Sequence, residues 1–581
     1  MRSRVLIVDL DNYSYEIEDR DDLFERWIGG TGVAVQLLKE NMDPKADPLS
    51  EGNVIVFATG PFTPAYPLAS KTVAMFKSPL TGNLGESHAG GRTAAAIANA
   101  GYGAIVIKGA SKKPVYLVID GEGVYFRDGR VLWGIPDSLI VGRIIAENEG
   151  GRGTRTMMRI GGAGEKLVRY ACVTTETYRH FGRLGLGAVF GSKKLKAVIV
   201  RGRKRYRPVD PAGFREVYDE IYKLAVESDA MKKYHLLGTA GNVVPLNELR
   251  SLPTENLQSA RFEKAEEISG EALAEYNLGR RIACSHCPIA CIHLATLRLP
   301  YENEPYFFKT IMISYDYELI YALGSMLGIG SRDGLLRVIH RVESYGLDAM
   351  STGVCLAWAT EALKKGVISE SDTIVKLDFG NVDGYLKAID FIYEQPNEFY
   401  RNLAMGVEHA SSIYGGKDFA LAFGGNEMPG YHTGYAAHIG YATGLRHSHL
   451  DSAGYSLDQK VRDYTPEEVV DKLIAEECWR QVLSSLVVCF FARGIYTAEI
   501  ISKAFKPLGY EISEEELKKV GEEIYKEKLK LKVAMGFDPN KLRFPKRIFE
   551  VESLHGKLKE EFVERAIHYY TKKVNEILSQ P

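Results

Sequence analysis

Short β-branched runs separated by glycine-rich turns fill the first two hundred residues, and the hydrophobic period changes after them. RVLIVDL, NVIVFATG, KTVAMFK, AIVIKG, PVYLVID, TMMRIGG and LKAVIVRG read as strands. YSYEI, just after Asp11, alternates like a further strand. The apolar run VLIV is broken by Asp9 and Asp11, so the N-terminus reads as part of the folded domain and not as a signal peptide. The strand pattern ends at the basic turn GRKRYRPVD. Beyond it, PAGFREVYDEIYKLAVESDAMKKY and GLLRVIHRVESYGL place apolar residues at helical spacing. These patterns predict an α+β chain, with a β-rich domain over 1–207 and two mainly helical domains over 208–400 and 401–581. LKEEFVERAIHYYTKKVNEILSQ predicts an amphipathic helix packed on the third domain.

Size and charge narrow the classes. A chain of 581 residues is too long for one core. Lys plus Arg number 73 against 75 Asp plus Glu, a net charge of -2, which argues against nucleic acid as the main partner. No stretch approaches the roughly 18 uninterrupted apolar residues of a membrane span, so a cytoplasmic protein without membrane insertion is expected.

Glycine clusters bring in candidate chemistry. WIGGTG and SHAGGRTAAA lack the GxGxxG spacing of a dinucleotide site. KSPLTGNLGESHAGG, GGAGE and FGRLGLGAVFGSKKLKA read instead as turns whose backbone amides surround a large anionic ligand, with positive charge at Arg183, Lys193 and Lys194. The seven cysteines include one tight group, CSHCPIAC, which supplies Cys284, Cys287 and Cys291. This spacing suits zinc, with His286 and His293 nearby, or an iron-sulfur cluster. The fourth ligand is Cys489 in SSLVVCFFARG or Cys478 in AEECWRQ, while Cys172 and Cys355 read as core residues.

With KSPLTG, GSKKLKA, CSHCPIAC, DYELIYALGSMLG, YGLDAMSTG, GYAT and GFDP in this order, the chain resembles the tungsten-dependent aldehyde:ferredoxin oxidoreductase family. The resemblance implies a tungsten bis-pyranopterin (tungstopterin), Mg2+ bridging the pterin phosphates, and a [4Fe-4S] cluster on Cys284, Cys287, Cys291 and Cys489. It carries cofactor contacts to Lys71, His88, Gly90, Arg179, Phe181, Gly182, Arg183, Lys193, Glu343, Gly346, Leu347, Asp348 and Val488. Glu318 takes the place of the catalytic carboxylate. The active-site histidine is assigned to His449, with His447 and His432 as alternatives, and Tyr317 and Tyr431 as pocket candidates.

Several positions depart from the family pattern. In SSLVVC, Ser484 and Val487 stand for an aspartate and a glycine. Glu343 replaces an aspartate, Lys71 an arginine between cluster and pterin, His88 an asparagine, and Arg337 the glutamate of a dimer-interface ExxH motif. The implied reaction takes an aldehyde and water to a carboxylic acid, two protons and two electrons. Electrons pass to ferredoxin or to a small polyferredoxin-like iron-sulfur subunit, in a homo- or hetero-oligomer. A carboxylic-acid reductase or a molybdenum-dependent relative is the alternative on the same scaffold. A pterin-free electron carrier or zinc-stabilised scaffold is the alternative from another class.

Overall fold

Successive residues of the first strand, RVLIVD, enter two different cores, which is why it reads as an unbroken apolar run. In the computed structural model, which describes residues 3–176, 178–301 and 304–580, β1 (Arg4–Asp9) sends Leu6 and Val8 into one cluster and Val5 and Ile7 into another. With β2 (Ser14–Asp19), β3 (Ile55–Ala58), β4 (Thr72–Lys77), β5 (Leu84–Ala89) and β6 (Ala104–Lys108) it forms a sheet of order β2-β1-β6-β3-β4-β5. A second sheet, ordered β11-β10-β9-β12-β7-β8, comprises β7 (Val115–Ile119), β8 (Val124–Asp128), β9 (Arg155–Arg159), β10 (Val173–Thr175), β11 (His180–Phe181) and β12 (Leu195–Arg201). Leu117, Val198 and Val200 of the second sheet share a core with Leu6, Val8 and Phe57 of the first. Helices Asp21–Trp27 and Gly30–Asn41 cover the far face of the first sheet, with Ile524 and Leu531 from helix Glu514–Ala534. Val141 and Ile145 of helix Ser138–Asn148 cover Val118 and Ile199 on the far face of the second.

This sandwich belongs to the first of two units, which joins Met1–Lys232 to Ala283–Ile289 and Ala475–Phe537. Glycines admit the late segment. A Cβ on Gly30, where φ is +37°, would lie 2.1 Å from the Ser484 carbonyl oxygen, and one on Gly60 would lie 2.6 Å from the Leu486 carbonyl carbon. The Gly32 N–H donates to Ser485 Oγ at 3.2 Å. WIGGTG is thus a close-packing surface for the end of helix Pro466–Ser485. Similarly, Gly164, Gly187 and Gly191 of the other glycine clusters sit against backbone oxygens of Gly187, Cys172 and Gly164.

The second unit comprises Lys233–Ile282, Ala290–Ile474 and Asp538–Pro581. It is mainly helical, and the terminal amphipathic pattern forms helix Glu560–Ser579, whose Tyr570 hydroxyl donates to the Thr443 carbonyl at 2.9 Å. Helical periodicity does not cover the whole unit. β13 (Leu278–Ile282), β14 (Ile292–Tyr301) and β15 (Glu304–Tyr315) make an antiparallel sheet directly around the cysteine segment in sequence. Among the described residues, no helix is long and apolar enough to cross a membrane.

Gly30→Ala should lower unfolding stability by more than about 3 kcal/mol, because backbone must move on both sides of the contact. Gly494→Ala, with nothing within 4 Å of the added carbon, should change it by less than about 0.5 kcal/mol. Chemical denaturation of the two variants compares them directly.

Candidate active site

The cysteine turn is wound by two left-handed residues. His286 (φ 56°) and Ala290 (φ 51°) each precede a cysteine. The Cys287 N–H donates to the Cys284 carbonyl at 3.2 Å, which closes the turn, and the Ser285 N–H donates to the Gly91 carbonyl at 2.8 Å, which docks it on the end of β5. Cys284 Sγ accepts the Gly91 N–H at 3.1 Å. A Cβ on Gly90 would lie 2.9 Å from that sulfur, 3.4 Å from Lys71 Nζ and 3.9 Å from Arg179 Cγ. Lys71, Arg179 and Cys284 therefore converge on a glycine that leaves no room for a side chain.

Cys489 reaches the same turn through the backbone. Its N–H donates to the Leu68 carbonyl at 2.9 Å, and the Leu68 N–H donates to the His286 carbonyl at 3.1 Å. Two residues before Cys489, Val487 has φ 55° just past the end of its helix, and its carbonyl accepts the Lys71 N–H at 3.1 Å. Val488 is buried beside it. Cys478, the competing fourth ligand, lies elsewhere on the helix, where burial pushes its thiol up to about 12, away from the ligating form. Cys284, Cys287 and Cys489 belong to the first unit and Cys291 to the second. His293 is spent on backbone, with Nδ1 3.0 Å from the Cys291 carbonyl and Nε2 3.1 Å from those of His235 and Leu236. Among the described residues, no three or more His, Cys, Asp or Glu side chains converge tightly enough for a single metal ion.

His88 lies on β5, its ring 6.3 Å from that of Phe490. Its Nε2 is 2.6 Å from Glu86 Oε1, and Glu86 is paired in turn with buried Lys528. Lys528 donates to Gln481 Oε1 at 2.8 Å. Neither Glu86 nor Lys528 was marked by any local pattern, since they are distant in sequence. Phe181 is buried with its ring 5.4 Å from Phe57, and Gly182 is open, with only His180 Cβ at 3.9 Å from an added carbon. Burial, with Arg179 and Arg159, holds nearby His180 down to about 3, a neutral ring among cations. Arg183 continues this basic strand end. The Lys193 ammonium instead donates to the Gly109 carbonyl at 2.7 Å and the Glu51 carbonyl at 3.2 Å, and burial pushes it down to about 8.

In the second unit, DYE starts a helix. Asp316 caps Tyr317–Leu323 by accepting the N–H groups of Glu318 and Leu319. Glu318 Oε1 lies 3.3 Å from His449 Nε2, and its Oε2 is 3.4 Å from the Gly430 nitrogen. Rings of Tyr431 stand 5.3 Å from His449 and 4.9 Å from Tyr317. Tyr317 donates to the Gly430 carbonyl and Tyr321 to that of Met428 at 2.8 Å. Burial first, then the Glu318 charge, holds the phenols of Tyr317 and Tyr431 well above the ordinary value, so both stay protonated.

Ser448 caps His449–Ser452 in a reciprocal box with Asp451, and this cap fixes which histidine of RHSH faces Glu318. His447 Nδ1 is 3.1 Å from the Tyr441 carbonyl. His432 Nδ1 is 2.9 Å from His438 Nε2, and its Nε2 is 3.0 Å from the Val551 carbonyl. Glu343 ends helix Arg332–Tyr345, Gly346 (φ 71°) caps it, and Asp348 starts helix Ala349–Lys364 after Leu347. ESYGLD is thus a helix stop and a helix start in one segment.

Comparison with known proteins shows the family. The family profile for aldehyde ferredoxin oxidoreductase, N-terminal domain, matches residues 5–202, and that for aldehyde ferredoxin oxidoreductase, domains 2 & 3, matches 216–575. The chain belongs to the aldehyde ferredoxin oxidoreductase family. It is 32% identical over 94% of its length to the tungsten-containing aldehyde ferredoxin oxidoreductase of Thermococcus kodakarensis, covering 91% of that protein. It is 28% identical over 86% of its length to the aliphatic sulfonate oxidoreductase, WOR-like subunit, of Pyrococcus furiosus, covering 81% of it. The active site complex BamBC of benzoyl coenzyme A reductase shares the fold, with a TM-score of 0.82 at 21% identity over 99% of this chain and 94% of that one. As an aldehyde ferredoxin oxidoreductase family member, the protein is an oxidoreductase.

Behind His449, Arg446 Nε and Asp451 Oδ1 form a buried pair at 2.6 Å. Burial alone would raise the Asp451 carboxyl. Arg446 and the N–H groups of Ser448 and Arg446 more than offset it and bring it below the ordinary 3.8. Asp451→Asn should cost about 3–5 kcal/mol, measured by denaturation at neutral pH. For the wild type, this stabilisation is complete above 3.8 and disappears as pH falls through the lower folded value. The variant should lack that acid-dependent component.

Proposed function

We propose that the protein is a tungsten-pterin enzyme that oxidises aldehydes to carboxylic acids and passes the electrons through a [4Fe-4S] cluster to ferredoxin or to an iron-sulfur subunit. The observation that carries this reading is the close approach of Glu318 and His449 beneath Tyr431, 3.3 Å between the two side chains, in a member of this family. The cysteine residues fit the cluster: the Gly91 N–H on Cys284 Sγ, at 3.1 Å, is a donor a cluster thiolate needs, and Gly90 keeps the sulfur's surroundings free of a side chain. Cys284, Cys287, Cys291 and Cys489 would be its ligands. Lys71 and Arg179 would set a positive surround for the cluster and for an anionic cofactor. In the first unit His88, Gly182 and Arg183 would offer polar contacts for a pterin; in the second, Glu343 and Asp348 would do so, since a carboxylate suits pterin N–H donors. When bound, the tungsten cofactor supplies a Lewis acid and a two-electron acceptor.

The protein's own residues supply proton handling and position. An aldehyde and water become a carboxylic acid, two protons and two electrons. Glu318 takes a proton from water or from the hydrated aldehyde, with its second oxygen steadied by the Gly430 N–H. His449 Nε2, loosely paired with Glu318 in the resting pocket, exchanges to the substrate oxygen and donates to it as negative charge develops. Buried phenols of Tyr317 and Tyr431 keep the pocket short of water.

Glu318→Gln with full metal and pterin content should lose about 10²–10⁴-fold in turnover. Wild-type turnover in that variant would remove Glu318 as the base. Protein purified without oxygen should contain tungsten and release a pterin on denaturation, and a panel of aldehydes, carboxylic acids and alkyl sulfonates would test the substrate class. A Cys489→Ser enzyme should lose cluster absorbance, while Cys478→Ser should keep it.

A further inference from the structure

The face of β5 that meets the helices is apolar at Leu84, in one cluster with Val73 and Met75 of β4. Side chains two apart share a face of a strand, so the same face then carries Glu86 and His88. Glu86 is ion-paired with Lys528 of helix Glu514–Ala534, and both side chains are 1% exposed. Two charges taken out of water add little to stability even when paired. What this pair supplies is direction. A carboxylate is planar, so Lys528 on Oε2 also sets Oε1, and Oε1 meets the Thr31 hydroxyl at 3.1 Å and His88 Nε2 at 2.6 Å. The Lys528 ammonium, with three hydrogens to give, also donates to Gln481 Oε1 at 2.8 Å.

Both ends of this chain lead to the cysteine site. Gln481 lies on helix Pro466–Ser485, which runs into Val487 and Cys489. Beyond His88 the strand runs into Gly90 and Gly91, and the Gly91 N–H meets Cys284 Sγ at 3.1 Å. The His88 ring stands 6.3 Å from that of Phe490, the residue after Cys489.

We propose that Glu86 and Lys528 are positioning residues: the chain of Gln481, Lys528, Glu86 and His88 holds the His88 ring beside Phe490 and sets the end of β5 against the segment that carries Cys489. Both act through His88. The chain of contacts stands on geometry, whereas its effect on turnover rests on the proposed function, in which His88 contacts the pterin.

Two double variants test this without leaving a lone buried charge. Glu86→Gln/Lys528→Met keeps an amide that hydrogen-bonds His88 and Thr31, and Glu86→Leu/Lys528→Met removes that hold; denaturation should show both folded. Selective 13C labelling of the histidine rings gives a readout independent of turnover. The His88 signal, assigned by its absence from His88→Gln, should move in Glu86→Leu/Lys528→Met and, by less, in Gln481→Met. An unmoved signal overturns the proposal, and Gln481→Met, which leaves the charge pair in place, decides it where the double variant does not fold. In enzyme with full metal and pterin content, Glu86→Leu/Lys528→Met should lose about 10–100-fold in kcat/KM, the range for residues that orient groups at a metal site. Glu86→Gln/Lys528→Met should recover most of it. Wild-type kcat/KM in the former, or equal loss in both, overturns the positioning role. A wild type without pterin sinks the proposed function instead and leaves the His88 signal to judge the chain.

Discussion

Four residues, Leu68 to Lys71, impose the constraint on which the first unit's chemistry depends. The Leu68 N–H holds the cysteine turn at His286, the Leu68 carbonyl holds Cys489, and the Lys71 N–H holds Val487. Three stretches hundreds of residues apart are thus fixed by backbone hydrogen bonds, whose geometry is less tolerant than that of side chains. Tyr496 reinforces the segment by donating to the Pro67 carbonyl. Its phenol is fully buried and stays protonated, since burial, followed by Tyr66, Tyr218 and Cys287, raises it well above the ordinary value.

The same constraint explains the glycines. A backbone-to-backbone contact needs the facing residue to have no Cβ, and Gly29, Gly30 and Gly60 meet the 484–486 turn in this way. Glycine richness in this family member therefore divides into two physical kinds. At Gly90 it makes space beside a sulfur and an ammonium. At Gly30, Gly164, Gly187 and Gly191 it lets backbones touch. Sequence alone does not separate these kinds, because both leave the same letter, and the broad anion-cradle reading of all three glycine clusters arose from that.

What was legible follows the physics of burial. Strands such as AIVIK and LKAVIVR, buried on both faces, announce themselves as apolar runs. β5, LGESHA, does not: His88 pairs with Glu86, and Glu86 with Lys528 from far along the chain, so no local period marks it. The hairpin of β14 and β15 was missed for the opposite reason. Tyr301, Tyr306, Phe307 and Phe308 are exposed on its far half while Ile292, Leu294, Leu297 and Ile313 are buried nearer its base, so its apolar residues do not trace one core face. CSHCPIAC stood out by its cysteine spacing, whereas DYE and ESYGLD were marked only by the family resemblance; in the structure Asp316 and Asp348 are the helix N-caps there. The Ser448 cap turns His449 toward Glu318, an effect of backbone rotation that the residue order RHSH does not show.

Val487 shows how a departure from family pattern is absorbed. Where relatives resembled by this sequence carry glycine, this chain puts a β-branched residue in the left-handed region, at φ 55°, a conformation costing about 1–2 kcal/mol for a residue with a Cβ. The side chain is fully buried in the cluster that includes Trp27, Val33 and Ile524, and burying a valine returns about 1.5–3 kcal/mol. The two terms are of equal order, and the Lys71 N–H meets the Val487 carbonyl at 3.1 Å. Ser484 fits the same account: its carbonyl, not its side chain, faces Gly30, so the packing at this position places no demand on an aspartate.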